Sequence, residues 1–113
     1  MGLNMVEIGG KSIQLTESGF LVCREDWSRE LAEWLASQEG ITLVAEQWEL
    51  IDFIQDYYRK YNHLPNARLF VKAVRKVLGE EKGNSRYLHH IFPDGPVKQA
   101  CKFAGLSKPP GCL

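Results

Sequence analysis

The stretch LVAEQWELIDFIQDYYRKYN, residues 43–62, decides the architecture. Leu50, Ile54, Tyr57 and Tyr61 recur at helical spacing, and Trp48, Ile51 and Tyr58 form a second apolar stripe beside them. A single stripe needs one partner surface, whereas two need neighbours on several sides. The stretch therefore predicts the longest helix of the chain, placed centrally and stopped by Pro65. A mainly helical fold follows.

Upstream, MVEIGGKSIQL (5–15) sets two alternating runs, Val6/Ile8 and Ile13/Leu15, around Gly9-Gly10. That is a hairpin signal, because both central residues of such a turn take positive φ. A two-stranded hairpin is marginal alone, so it must pack on the helices. TESGFLV then turns at Gly19, and REDWSRELAEWLASQEG reads as a helix through Trp27, Leu31, Trp34 and Leu35 that ends at Gly40.

Downstream, NARLFVKAVRKVLG predicts a helix capped by Asn66 and stopped at Gly79, with Leu69, Phe70, Ala73, Val74, Val77 and Leu78 as its apolar residues. SRYLHHIF is a short helix closed by PDGP, and Pro96 opens the last one, PVKQACKFAG. LSKPPGCL has two prolines, a glycine and no period. The expected fold is α+β and mainly helical. An N-terminal β-hairpin packs on a bundle of about five helices as one domain over residues 1–105, and residues 106–113 form a mobile C-terminal arm.

The chain has 113 residues, 44% of them hydrophobic and 25% charged, as an ordinary globular domain has. No apolar run is long enough to span a bilayer and no signal sequence opens the chain. Met1-Gly2 fails as a myristoylation start because position 6 is Val6. Three cysteines without a Cys-x-x-Cys pair argue against a disulfide framework, so a reducing cytoplasmic setting is expected. Net charge is zero but uneven: residues 1–58 carry −8 and residues 59–113 carry +8. Such asymmetry marks either an anionic partner or acidic and basic elements that neutralise each other.

Two thiols hold the chemical interest. On the last helix Val97, Ala100, Cys101 and Ala104 share a face, so Cys101 reads first as a small buried hydrophobe. Lys98 and Lys102 flank it, and an ammonium there would favour a thiolate on an accessible sulfur. Cys112 sits between Gly111 and the final Leu113, on a tail with little to bury. An accessible thiolate attacks sulfur electrophiles. Pro109-Pro110 stiffens the stem, and Gly111 keeps the tip pliable. Seven residues from Gly105 to Cys112 span roughly 23–25 Å when extended, enough for the tail to fold back on its helix and bring the two sulfurs together.

Other constellations are weaker. His63, His89 and His90 do not give metal-ligand spacing with the cysteines, so no metal or cofactor is expected. The stripe Arg68/Lys72/Arg75/Lys76 followed by a short helix has the loose outline of a helix-turn-helix, but a solvated helix face is the favoured reading over nucleic-acid contact.

The tail GPVKQACKFAGLSKPPGCL resembles the C-terminus of the DsrC/TusE family of sulfur-relay proteins, which end in an arm with a penultimate cysteine. The likeness continues through GFL, EQWELIDFIQDYYRKY, PNARLFVKAV, GEEKGNSRYL and IFPDGPVKQAC. It implies that Cys112 carries sulfane sulfur as a persulfide, as a sulfurtransferase in the loose sense of a carrier. It implies that Cys101 is a second thiol able to bridge to Cys112, as in the DsrC type of dissimilatory sulfur metabolism. The alternative it implies is a TusE-type carrier in tRNA wobble 2-thiouridine synthesis. The implied partners are sulfur-donor carriers and a sulfite reductase or tRNA thiolase, met by a cytoplasmic monomer without membrane insertion. Arg68, Lys98, Lys102 and Lys108 are the implied docking residues. Pro110 and Gln47 depart from the residues common in the family, Thr and His respectively.

Overall fold

The computed structural model describes residues 4–109. Strands β1 (Asn4–Ile8) and β2 (Lys11–Leu15) form an antiparallel hairpin in which Val6 faces Ile13 and Ile8 faces Lys11. Ile8, Ile13 and Leu15 are buried, as the alternation requires. After the turn at Gly19 the chain returns along β2, with a Leu15–Leu21 bridge and a Val22 N–H bond to the Gln14 carbonyl.

Five helices follow: α1 (Arg29–Gln38), α2 (Ala45–Tyr61), α3 (Ala67–Leu78), α4 (Ser85–Ile91) and α5 (Pro96–Phe103). Their starts are set by side-chain caps. Ser28, Asn66 and Asn84 accept from the backbone N–H groups of Leu31, Leu69 and Tyr87, each satisfying a donor with no partner inside the helix. At α2 the Gln47 side chain accepts from the Val44 N–H at 3.1 Å, and its amide donates to the Ile91 carbonyl of α4. This gives Gln47 a tie between helices.

Two expectations are corrected here. Trp27 is not part of α1. Residues Arg24–Asp26 form a 3₁₀ turn, and the Ser28 cap starts the helix two residues after Trp27. Nor is α2 the hub. That position belongs to α5, which packs closely on α1, α2, α3 and α4. The reason is side-chain size. Ala100, Cys101 and Ala104 let neighbouring helices approach, while Phe103 fills the space beyond them. α2 buries Leu50, Ile51 and Ile54, and leaves Tyr61 exposed at its end. α3 buries only Phe70 and Val74 fully, leaving Leu69 44% and Val77 66% exposed.

Candidate functional site

The site is built around the end of α5. Pro96 presets the helical φ at its first position. The helix stops where Gly105 adopts φ 78. The Gly105 N–H then bonds the Lys102 carbonyl at 3.3 Å, and the Leu106 N–H bonds the Cys101 carbonyl at 3.0 Å. This paired closure is a Schellman turn, which reverses the chain and sets the residue after the glycine against the last helical turn. Leu106 is buried, and Cys101 is fully buried at 0% exposure. The chain that leads to Cys112 thus begins by folding back over the turn that holds Cys101.

Two distant side chains fix that exit. The Trp27 indole Nε1 donates to the Phe103 carbonyl at 2.8 Å, and the Gln55 amide donates to the Ala104 carbonyl at 2.9 Å. Both carbonyls belong to the last turn, where intrahelical donors run out. The Trp27 ring also covers Gly105 so closely that an added Cβ would lie 2.5 Å from its Cδ1. Neither role had a local signal. The partners are 76 and 49 residues apart, so only the fold reveals them.

The arm root does not leave the body at residue 106. Pro109 is buried, and it lines a cavity of about 300 Å³ with Asn66 and Phe70 of the α3 end and Val97 and Lys98 of α5. The chain from Leu106 to Pro109 therefore runs back along α5 toward its first turn. Cys112 lies outside the described residues.

The docking candidates divide. Arg68 is exposed on α3, beside Lys72 and Arg75. Lys98 is half-buried at the cavity, and Lys108 is exposed on the arm root. Lys102 is engaged inside the molecule: its ammonium pairs with Glu39 of the α1 end, and the two side chains are 17% and 19% exposed. The other Glu39 oxygen accepts from the buried Gln99 amide at 2.7 Å, and Gln99 in turn accepts from the Asp94 N–H. This network locks α5 to α1.

Cys23 is exposed, and its thiol donates to Glu25 at 2.9 Å. That bond, more than burial, raises its pKa and keeps it a thiol. Among the described residues no cluster of three His, Cys, Asp or Glu side chains is placed to hold a metal, and no helix is long and apolar enough to cross a membrane. The arrangement offers one shielded thiol in a rigid frame, at the root of a chain end that carries another.

A family model described as DsrC like protein matches residues 7–113. The chain is 49% identical over 109 residues to the sulfurtransferase TusE of Yersinia pestis, covering 96% of this chain and all of that one. It is 45% identical, at the same coverage, to the TusE homolog of Haemophilus influenzae. Among solved structures, Allochromatium vinosum DsrC superposes with a TM-score of 0.89 at 45% identity, covering 98% of this chain and 99% of that one. The oxidized gamma-subunit of the dissimilatory sulfite reductase (DsrC) from Archaeoglobus fulgidus gives 0.82 at 39% identity, covering 97% and 100%.

Proposed function

This chain belongs to the DsrC-like protein family, and we propose that it acts as a sulfur-relay carrier with Cys112 as the loading thiol. The Cys112 thiolate attacks the terminal sulfur of a donor persulfide R–S–SH. The donor's S–S bond breaks, R–S⁻ leaves, and Cys112–S–SH forms. The sulfane sulfur moves with no net redox change.

Cys101 supplies the second step. Its thiolate attacks the inner sulfur of Cys112–S–SH, hydrosulfide leaves, and a Cys101–Cys112 disulfide remains. The two thiols are oxidised by two electrons, and the released sulfur is reduced by two. A partner dithiol resets the bridge.

The observation that carries this reading is the Schellman turn that binds the arm root to Cys101 itself. It supports a shielded thiol met only by the chain's own tail, because Cys101 has no exposed surface for a bulky partner. The full-length likeness to TusE supports a second reading, in which Cys112 passes its sulfur to a tRNA thiolase and Cys101 stays in the core. The partner decides between them.

The test is to load the full chain with radiolabelled sulfur from polysulfide and offer it a sulfite reductase and a tRNA thiolase separately. Transfer to either, lost in Cys112→Ser, supports a carrier. Hydrosulfide release that needs Cys101 selects the two-thiol version. Label that reaches neither partner refutes the carrier reading.

A further inference from the structure

The exposed face of α3 is the strongest feature that the sulfur chemistry leaves unused. Arg68, Lys72, Arg75 and Lys76 all lie exposed on it, and the helix contains no acidic residue. Among the described residues none of the four forms an ion pair, although the same structure pairs Lys11, Arg59, Lys82 and Lys102 with carboxylates. Arg75 spends its Nε on the Gly83 carbonyl and keeps its charge. The acidic half of the sequence therefore pairs with none of the four, although Asp56 lines a groove with Lys76. Leu69 stands exposed among the cations, whereas Val77 is exposed on the side of α3 that faces α2.

This face is continuous with the arm. The groove beside Arg68, Lys72 and Arg75 shares Ala67, Val71 and Ser85 with the cavity that Pro109 lines. Cys112 lies three residues beyond Pro109, a reach of about 10–11 Å. A protein that exchanges sulfur with Cys112 must bring its own thiol inside that radius, so its surface comes against the N-terminal half of α3. Unmatched cations at such a contact lose hydration without repayment, unless carboxylates face them.

We propose that α3 is the docking helix for the sulfur-exchanging protein partner, and that the partner's thiol is ringed by an Asp/Glu-rich face with an apolar recess for Leu69. This rests on the carrier reading for the reason the partner comes close. A protein is favoured over a nucleic acid because a persulfide passes its sulfur to a thiol, and because the exposed Leu69 has no use against phosphates.

Docking is measured apart from sulfur chemistry with the full-length Cys112→Ser chain, titrated calorimetrically with a purified sulfite reductase, a tRNA thiolase and, alone, tRNA. The expected result is binding to one of the two proteins that weakens about tenfold when salt rises severalfold, as exposed charge contacts screen. Lys72→Glu with Lys76→Glu weakens it by about a further tenfold, and Leu69→Ser weakens it at every salt concentration. Both lysines are exposed and unpaired, so the fold tolerates these changes. The neutral Lys72→Gln/Lys76→Gln pair serves if reversal disturbs the melt, and gives a smaller loss in the same direction.

Binding indifferent to the reversal or to salt overturns the proposal, as does binding to neither protein. Equal, reversal-sensitive affinity for tRNA assigns the face to nucleic acid instead. If docking behaves as expected while the wild-type chain takes up no polysulfide sulfur, the carrier reading fails and the docking helix stands.

Discussion

Gly105→Ala is the sharpest probe of how the arm is aimed. Gly105 sits at φ 78, where a residue with a Cβ pays about 1–2 kcal/mol. The new Cβ would also lie 2.5 Å from Trp27 Cδ1 and 2.9 Å from its Cγ, so the indole has to move. Its Nε1 bond to the Phe103 carbonyl is 2.8 Å long and leaves little slack. Losing that bond costs about 1 kcal/mol more. The sum, about 2–3 kcal/mol, lowers the melting temperature of a domain this size by roughly 10 °C. Thermal and urea unfolding read it directly. A double-mutant cycle with Trp27→Leu isolates the collision: in that background Gly105→Ala should cost only the backbone share, about 1–2 kcal/mol. A melt within a degree or two of wild type, or an equal cost in both backgrounds, refutes the claim that Trp27 and Gly105 jointly fix the chain reversal. The same variant should still load sulfur on Cys112 but close the Cys101–Cys112 bridge more slowly, which quenched time points by mass spectrometry will show.

Four further outcomes follow from the structure. In the native protein iodoacetamide should leave Cys101 unmodified by peptide mapping, because it has no exposed surface; rapid native labelling there contradicts its placement. Cys23 should label slowly at neutral pH and faster as pH rises through its raised pKa, and Glu25→Gln should accelerate it by lowering that pKa. The sign for stability is opposite: the Cys23–Glu25 bond helps the fold while the thiol is protonated and is lost above its folded-state pKa. Glu39→Ala should cost about 2–3 kcal/mol in urea unfolding, because it strands the Lys102 ammonium and the buried Gln99 amide together; Lys102→Met should cost less, since the Glu39 carboxylate it leaves unpaired still accepts from the Gln99 amide. Gly83→Ala should cost about 3 kcal/mol or more, since its Cβ would lie 2.2 Å from the Arg75 Cα, and backbone cannot yield as a side-chain tip can.

What the sequence made legible is what local physics controls. The Gly9-Gly10 hairpin, the Asn66 cap with the Gly79 stop, and Pro96 at the head of α5 stand where their residues predict. Each is decided within a few residues. Trp27 shows the limit. Its spacing to Leu31 and Trp34 is helical, yet the Ser28 cap takes precedence, and the indole serves a carbonyl 76 residues away. Hub position was equally hidden, because the two stripes of α2 report how much apolar surface it has and not how closely another helix can approach. The small residues of α5 decide that. Leu69 and Val77 fit the apolar period of α3 and remain exposed, since no element among the described residues covers them.

The site was legible unevenly for the same reason. The sequence marked both thiols of the carrier reading, Cys112 by its place on a tail and Cys101 by its place on an apolar helix face. It did not show that the turn after Cys101 is what returns the chain over it, nor that Lys102 is occupied by Glu39. Both depend on contacts made only once α1, α2 and α5 are packed.

The central claim is that Cys112 is where sulfur enters. Intact-protein mass spectrometry after incubation with a persulfide donor tests it most directly, on the wild-type chain, Cys112→Ser and Cys101→Ser. The account predicts one added sulfur atom on wild type and Cys101→Ser, retained longer in Cys101→Ser, and none on Cys112→Ser. A Cys112→Ser chain that gains sulfur as readily as wild type would contradict it.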